Sequence, residues 1–569
     1  MTETIPAAGG FPILSFIVLM PLVAAIVLLF IPDTQRSVVR GWALLGSALS
    51  ALASGFLAWR YFTEATDGGL MFLESVVIVQ KIGLTYTLAC DGWSAVLMLL
   101  TGIITFSGTW ASFTLEDRPR EFFVFLLVLV AGVYGVFVAQ DLLLFFLFYE
   151  IAVLPMYLLI GIWGSSGTIP PSGPFGWAYR MLDVGTKHYA ALKLTLMLLV
   201  GSALILASFL WIGAESGSFL MTRIVDEDLP WEGQFIVFPL LWIGFGTLAG
   251  LWPFHTWSPD GHAAAPTAVS MLHAGVLMKL GAFGVMRVGM VLLPLGARDW
   301  AIVVGFVACV NIFYGALSAM AQRDLKYVIA YSSVSHMGIV LLGAAALNEA
   351  GWNGAVFQMF AHGVMTGLMF ALVGILYERT HDRWIPNLGG FARIMPVVAA
   401  GFVLAGLSSL GMPGTAGFAA ELLVFVGSWS IPAVLPEGVD QGYAHPFGPL
   451  WALVGILGAF LTAVYVLKAA REIFFGDGPP ERFAALQDAV GTERVALWTL
   501  GACIVIFGAW PRLLLDLVNE TTPRYVAPFA IEASENDDAS AQTVVEDPED
   551  LKDPYETESS DRTPRGEDG

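Results

Sequence analysis

The sequence predicts an all-α polytopic membrane protein of about fourteen transmembrane helices, with two inverted five-helix repeats and broken helices at the seventh and twelfth positions. Three observations point there. Hydrophobic types make up 57% of the 569 residues and charged types only 13%, with mean hydropathy +0.73. Soluble chains carry roughly 45–50% apolar and about 25% charged residues. So few charges cannot coat a water-exposed surface, which excludes a soluble multidomain enzyme. Apolar runs of spanning length, about 20 residues, recur along most of the chain. Two of these runs carry Gly and Pro mid-run, five helices apart.

An apolar run over 11–31 opens the series. Residues 1–10 contain no Lys or Arg. The run therefore reads as a retained first helix, since a signal peptide wants a basic start and a shorter apolar stretch. Spans at 39–60 and 91–112 complete an N-terminal group within residues 1–120. Helices four to eight, at 121–138, 141–163, 188–211, 235–252 and 266–290, make a first repeat over 121–290. Helices nine to thirteen, at 299–320, 325–346, 355–377, 394–425 and 450–474, make a second over 291–475. A last helix at 494–517 falls in 476–520, and an acidic tail follows over 521–569.

The breaks are Gly250–Leu251–Trp252–Pro253 and Gly411–Met412–Pro413–Gly414. A break leaves unpaired amides and carbonyls at membrane depth, tolerated only where protein or water lines them. Broken helices at matching places in two halves point to a transporter built from inverted repeats. Two ordinary proline kinks are the competing reading.

Charge adds direction. The loops that would share one face hold sixteen Lys/Arg, against seven on the other face before the tail. The excess marks the cytoplasmic side and puts both termini outside. The net charge of −20 is largely the tail, where residues 531–569 hold 14 Asp/Glu against Lys552, Arg562 and Arg565. Such composition predicts a disordered, solvating segment. A basic nucleic-acid binder is excluded. Cys90, Cys309 and Cys503 are too few and too scattered for a four-thiolate cluster. Redox chemistry is therefore expected on another chain.

Ionisable side chains at the bilayer centre cost about 2.5–3.5 kcal/mol on insertion scales, so each needs a reason. Glu150 lies deep in the fifth helix, in Leu-Phe-Phe-Leu-Phe-Tyr-Glu-Ile-Ala-Val-Leu-Pro. A carboxylate poised between desolvation and a nearby cation loads and releases a proton; it serves equally as half of a packing ion pair. Lys279 lies midway along the eighth helix, too deep to snorkel. It reads as a central proton carrier, or as a lysine locked to a carbonyl or carboxylate. Glu421 follows the second break and is the only acid in its span, placed to receive protons from Lys279 through water and histidine. The candidate relay histidines are His255, His262, His273, His336 and His362. Histidine titrates near neutral pH, and a lone helix histidine is as readily a satisfied core residue. No HxxxH pair, phosphate loop or nucleophile elbow is present.

Two stretches are distinctive: Trp-Pro-Phe-His-Thr-Trp-Ser-Pro-Asp-Gly-His-Ala-Ala-Ala-Pro-Thr-Ala-Val-Ser at 252–270, and Gln-Arg-Asp-Leu-Lys-Tyr-Val-Ile-Ala-Tyr-Ser-Ser-Val-Ser-His-Met-Gly at 322–338. Both resemble the antiporter-like membrane subunits of respiratory complex I (NADH-quinone oxidoreductase) and the Mrp cation/proton antiporters. Leu-Met-Lys-Leu-Gly-Ala-Phe-Gly-Val-Met-Arg at 277–287, Glu-Arg-Thr-His-Asp-Arg at 378–383 and Met-Pro-Gly-Thr-Ala-Gly-Phe-Ala-Ala-Glu at 412–421 are similar to the subunit M branch. The resemblance covers about residues 11–517. It implies fourteen helices in two inverted repeats around a hydrophilic axis. By position it maps the fifth-helix glutamate to Glu150, the eighth-helix lysine to Lys279, the twelfth-helix acid to Glu421, and the relay histidines to His255, His336 and His362. It further implies proton translocation coupled to quinone reduction elsewhere, and no cofactor on this chain. NADH and quinone would be bound by other subunits, with antiporter-like neighbours in a bacterial plasma membrane as partners.

One departure stands out. The family places a lysine five residues before the proline of Pro-Phe-His, and here that position is Leu248, with no lysine between Lys193 and Lys279. Glu150 then pairs with Lys193 (the preferred substitute) or Lys279, or waters fill the gap, or that half-channel is uncoupled. His273 departs from the subunit M pattern and adds a titrating group. The expected function is proton conduction within a complex I-type enzyme. The alternatives are a Mrp-type antiporter or membrane-bound hydrogenase-type subunit, and a non-conducting structural subunit, which Leu248 keeps open.

Overall fold

Among the residues described by the computed structural model (11–65, 69–167, 183–435, 442–476 and 478–530), twelve helices are long and apolar enough to cross a membrane and three shorter apolar helices accompany them. Together they make fourteen passes. In order these are α1 (Ile13–Leu29), α2 (Arg36–Glu64), α3 (Gly92–Ala111), α4 (Pro119–Val138), α5 (Leu142–Trp163), α6 (Lys187–Ser216) and α7 (Trp231–Ala264). Then come α8 (Thr267–Met290), α9 (Pro294–Ala321), α10 (Leu325–Ala345) and α11 (Glu349–Thr380). The set closes with α12 in two halves (Pro396–Ser409 and Ala416–Trp429), α13 (Gly448–Phe474) and α14 (Gly491–Ala509). The most apolar windows of α8 and α11 are wholly buried and that of α10 is 94% buried, against 39% for α2 and α13. The helices that carry Lys279, His273, His336 and His362 are thus the ones with almost no lipid-facing side.

One element departs from the all-α expectation and another from the expected span boundaries. Between α2 and α3 the chain forms an antiparallel hairpin, β1 (Met71–Val79) and β2 (Leu84–Cys90), turned at Gly83 with φ +70°. The β-branched residues Val76, Val77, Ile78, Val79, Thr85 and Thr87 favour the pleated form. The expected last span at 494–517 is also two helices. After α14, α15 (Arg512–Val526) lies back on the hairpin face, burying Leu514, Leu517, Val518 and Val526. Gly92 lets it approach, since a side chain there would strike the Leu517 carbonyl. The tail boundary expected at 521 falls inside α15. The acidic segment 531–569 lies outside the described residues.

A buried polar cluster pins α15 in place. Arg287, at the end of α8, donates to Asp91 Oδ2 at 2.6 Å and stacks its guanidinium 4.7 Å over the Tyr525 ring. The Tyr525 hydroxyl donates to the same carboxylate at 2.8 Å.

The chain repeats one construction on opposite faces. Asp141 caps α5, accepting from the Leu143 and Leu144 amides at 2.9 and 3.2 Å, and forms an isolated antiparallel bridge to Leu220 after α6. Asp324 caps α10, accepting from the Lys326 amide at 3.0 Å, and forms the same kind of bridge to Trp384 after α11. Each cap satisfies amides that a helix start leaves orphaned. The two caps stand five helices apart, an odd number, so they sit at opposite ends of the bundle. Asp324 is further held by Arg383 Nε at 2.5 Å.

Candidate functional site

The site begins at the two helix breaks. In α7 the first half ends at Ala249, Gly250 turns with φ +80°, and helix resumes at Trp257. The freed backbone is satisfied by Asn311 of α9. Its Oδ1 accepts from the Trp252 amide at 2.7 Å, and its Nδ2 donates to the Gly250 and Val334 carbonyls at 3.3 and 3.0 Å. A single amide therefore supplies what the membrane interior withholds and ties the break to α10, two residues before His336. In α12 the chain turns at Gly411 (φ +66°) and Gly414 (φ +89°), and the Met412 carbonyl accepts from the Thr415 hydroxyl at 2.7 Å. A Cβ at Gly411 would lie 2.6 Å from Glu421 Oε2. The glycine thus gives the carboxylate its seat against the break.

Lys279 is completely buried. It follows a π-helical turn, His273–Leu277, and its ammonium donates to the Ala274 carbonyl within that turn. A π-turn disturbs the usual backbone ladder and is a frequent mark of functional sites. The second partner is His362 Nδ1 of α11 at 2.6 Å. Hydrogen bonds to a charged group contribute about 1.5–3 kcal/mol each. Two of them offset the about 2.5–3.5 kcal/mol of placing the lysine at this depth.

From His362 the line continues. Its ring centroid lies 5.3 Å from that of His336 in α10. His336 Nδ1 stands 3.6 Å from Glu421 Oε1, and its Nε2 is 3.1 Å from the Ser409 hydroxyl at the α12 break. The Gln358 amide reaches His336 Nδ1 at 3.4 Å. Lys279, His362, His336 and Glu421 therefore form one buried file across α8, α11, α10 and α12. Glu421 is 3% exposed, and its Oε1 has no hydrogen-bond partner.

The remaining candidates lie elsewhere. Glu150 does not join the file. It sits on the outward stripe of α5 with Leu147 and Leu154, both more than half exposed, and its carboxylate accepts from the Ser202 hydroxyl of α6. The expected substitute partner, Lys193, is engaged by Asp260 Oδ2 at 2.8 Å. The family pattern favoured Glu150, whose usual lysine partner is missing at Leu248; in the structure Lys193 meets Asp260, in the second half of the broken α7, instead. Leu248 is 1% exposed and packs as an apolar core residue. His255 stands 4.8 Å from the Tyr314 ring, away from Lys279. His273 stacks on Trp257 at 5.0 Å, and its ring lies tilted against His262 at 4.1 Å. Asn311, Gln358 and Asp260 are the functional neighbours that sequence reasoning missed. Asn311 was findable as the one amide in an apolar span, and Asp260 as the acid in the 252–270 motif.

Comparison with known proteins adds family context. The sequence model of a family described as "NADH:quinone oxidoreductase/Mrp antiporter, TM" matches residues 180–435. The chain is 36% identical over 519 residues to "NAD(P)H-quinone oxidoreductase chain 4 1" of Synechococcus elongatus, covering 91% of this chain and 92% of the relative. It is 36% identical over 473 residues to "NAD(P)H-quinone oxidoreductase chain 4 2" of Microcystis aeruginosa, covering 83% and 80%. Among solved structures, a chain of respiratory complex I from Thermus thermophilus with bound NADH superposes with TM-score 0.78 at 26% identity, covering 91% of this chain and all of that one. A chain of the Mrp complex from a Dietzia species shares the fold, with TM-score 0.74 at 18% identity, covering 91% and 98%.

Proposed function

This chain belongs to the NADH:quinone oxidoreductase/Mrp antiporter family of membrane subunits, in the branch of NAD(P)H-quinone oxidoreductase chain 4, and from that premise we propose that it translocates protons within a complex I-type enzyme. The single observation that carries the reading is the buried file Lys279–His362–His336–Glu421. Protons rest at Lys279, pass through the two imidazoles, and leave past Glu421. The Lys/Arg-rich face that carries Arg383 is the cytoplasmic one, the face with the hairpin and α15 lies outside, and the membrane is the bacterial plasma membrane. The partners are other membrane-arm subunits. NADH and quinone are bound by those other chains, and none of the residues in the file is asked to do redox chemistry.

The geometry suits hopping. Efficient proton transfer needs heavy atoms within about 2.6–3.2 Å or one water between them. The Lys279–His362 contact meets the first condition; His336 Nδ1 stands 3.6 Å from Glu421 Oε1 and the two imidazole rings lie 5.3 Å apart at their centroids, so small side-chain movements complete the remaining steps. Moving one charge against 100 mV costs about 2.3 kcal/mol. That is less than two pKa units at about 1.4 kcal/mol each, so a small change in partner distance supplies it.

The test is Lys279→Met in the intact complex. It removes the ammonium and keeps the bulk. Pumping through this subunit is expected to stop while the complex still assembles. A normal proton-to-electron ratio in that variant would reject the carrier role.

A further inference from the structure

Behind Lys279, toward the Arg383 face, lies a second group of polar side chains that the file does not use. Lys193 Nζ donates to Asp260 Oδ2 at 2.8 Å, and the Tyr327 hydroxyl donates to Asp260 Oδ1 at 2.9 Å. The two ion-pair side chains are 23% and 19% exposed, while every other residue of the second half of α7 (257–264) is buried. A small polar cavity on that face is lined by Ser165, Thr186, Tyr189, Asp260, Tyr327 and Arg383. The charged neighbours that face Asp260 are therefore Lys193 from α6, and Arg383 with Asp324 beyond Tyr327.

Two residues past Asp260 stands His262, whose ring centroid is 4.1 Å from that of His273 in α8. The His273 ring also lies against Gly261, where a Cβ would stand 3.1 Å from it. Both rings are buried, and three of their four nitrogens (both of His262 and Nδ1 of His273) have no hydrogen-bond partner. Buried polar atoms are nearly always paired, so two adjacent imidazoles left unpaired need a reason beyond packing. His262 lies within electrostatic reach of Lys279 and of His362. The pair therefore lies beside the Asp260–Gly261 turn of α7 on one side and within electrostatic reach of the file on the other.

We infer that the Lys193–Asp260 ion pair is the proton-loading site of this chain, and that the His262–His273 pair hands the proton from Asp260 to Lys279. The inference rests on the proton-translocation reading above and names its uptake site. Asp260 takes a proton from water in the cavity, which breaks its ionic bond to Lys193. The carboxylic acid then passes that proton to one imidazole nitrogen. The imidazolium releases its other N–H onward, and the neutral Lys279 amine becomes an ammonium. Asp260 returns to carboxylate and re-pairs with Lys193. One proton enters and one proton arrives; the imidazole is left as its other tautomer, and a ring flip resets it for the next proton. This supplies the switch that Leu248 removes and that Glu150, on its outward stripe, is not placed to provide.

The experiment measures proton uptake and the proton-to-electron ratio of the whole complex in sealed vesicles, with Asp260→Asn, Asp260→Glu, His273→Gln and Lys279→Met. Asp260→Asn and His273→Gln are expected to slow uptake about 10²-fold. Asp260→Glu is expected to restore most of it and to move the pH profile, which a purely structural aspartate would not do. A protonated-carboxyl infrared band that appears on turnover and is lost in Asp260→Asn gives a second readout. If Asp260→Asn does not assemble, His273→Gln with Asp260→Glu carries the same decision. Normal uptake in both Asp260→Asn and His273→Gln, with Lys279→Met inactive, overturns the loading site and leaves the file intact. Normal pumping in Lys279→Met overturns the underlying reading instead.

Discussion

Lys279 and His362 lie 83 residues apart in sequence, yet the ammonium of one stands 2.6 Å from Nδ1 of the other inside the bundle. The lysine has no carboxylate at its side; it is held by a backbone carbonyl and an imidazole. Its proton is therefore shared with a neighbour that can itself accept it. A carboxylate would lock the ammonium by charge, whereas an imidazole binds it and offers an onward route.

His362→Leu should remove that route while preserving the apolar packing of α11. Proton transfer through this subunit is expected to fall by about 10²-fold or more. Combined with His336→Leu, the second change should add little, because two links of one chain fail together. Uptake rates of the single and double variants check this.

Asn311→Ala leaves the Trp252 amide and the Gly250 carbonyl without their side-chain partner and removes the second bond to the Val334 carbonyl, which keeps its helical one. Each stranded buried group costs about 1–3 kcal/mol. The variant complex should lose this subunit at a lower temperature. The Trp252 amide should exchange hydrogen faster than the amides of α8, as peptide-resolved exchange would show.

Gly411→Ala places a methyl 2.6 Å from the Glu421 carboxylate at a backbone φ of +66°. Strain at such a conformation is of order 1–3 kcal/mol. Proton release should suffer more than stability, because the carboxylate must leave its seat beside His336. The comparison is thermal dissociation against the proton-to-electron ratio in the same preparation.

Lys193 should couple to Asp260 and not to Glu150. In double-mutant cycles scored on thermal stability, the Lys193–Asp260 pair is expected to show about 1 kcal/mol of coupling, as a half-buried ion pair does. The Lys193–Glu150 cycle should close within about 0.3–0.5 kcal/mol, the usual limit of additivity. A large Glu150 coupling would mean that the α6 lysine changes partner in the assembled complex.

The passes, the two breaks and the depth of Lys279 and Glu421 were legible in the order of residues. Each depends on a local property: the hydropathy of a window, or a Gly and Pro inside it. The repeat was legible only in the order of the two breaks; the short likeness of Ala-Gln-Asp-Leu before α5 to Ala-Gln-Arg-Asp-Leu before α10 gains meaning once both are seen to cap their helices. Partnership was not legible. Glu150 and Lys279 look alike as isolated charges in apolar runs, yet one faces outward beside Ser202 and the other closes the central file. Hydropathy is almost flat around helices this apolar, so it does not say which side turns inward.

Packing settled the rest. The hairpin and α15 form because hydrogen bonding and an apolar face find partners there across the chain, as Thr521 and Thr522 do at Gly92 and Trp93. Lys193 meets Asp260 because the broken α7 swings its second half against α6. A sequence by itself determines how many segments prefer lipid and where a charge must be explained. Which groups then meet, over separations of 67 to 429 residues, is decided by the three-dimensional fit of buried surfaces, since a hydrogen bond or ion pair acts only over a few ångströms.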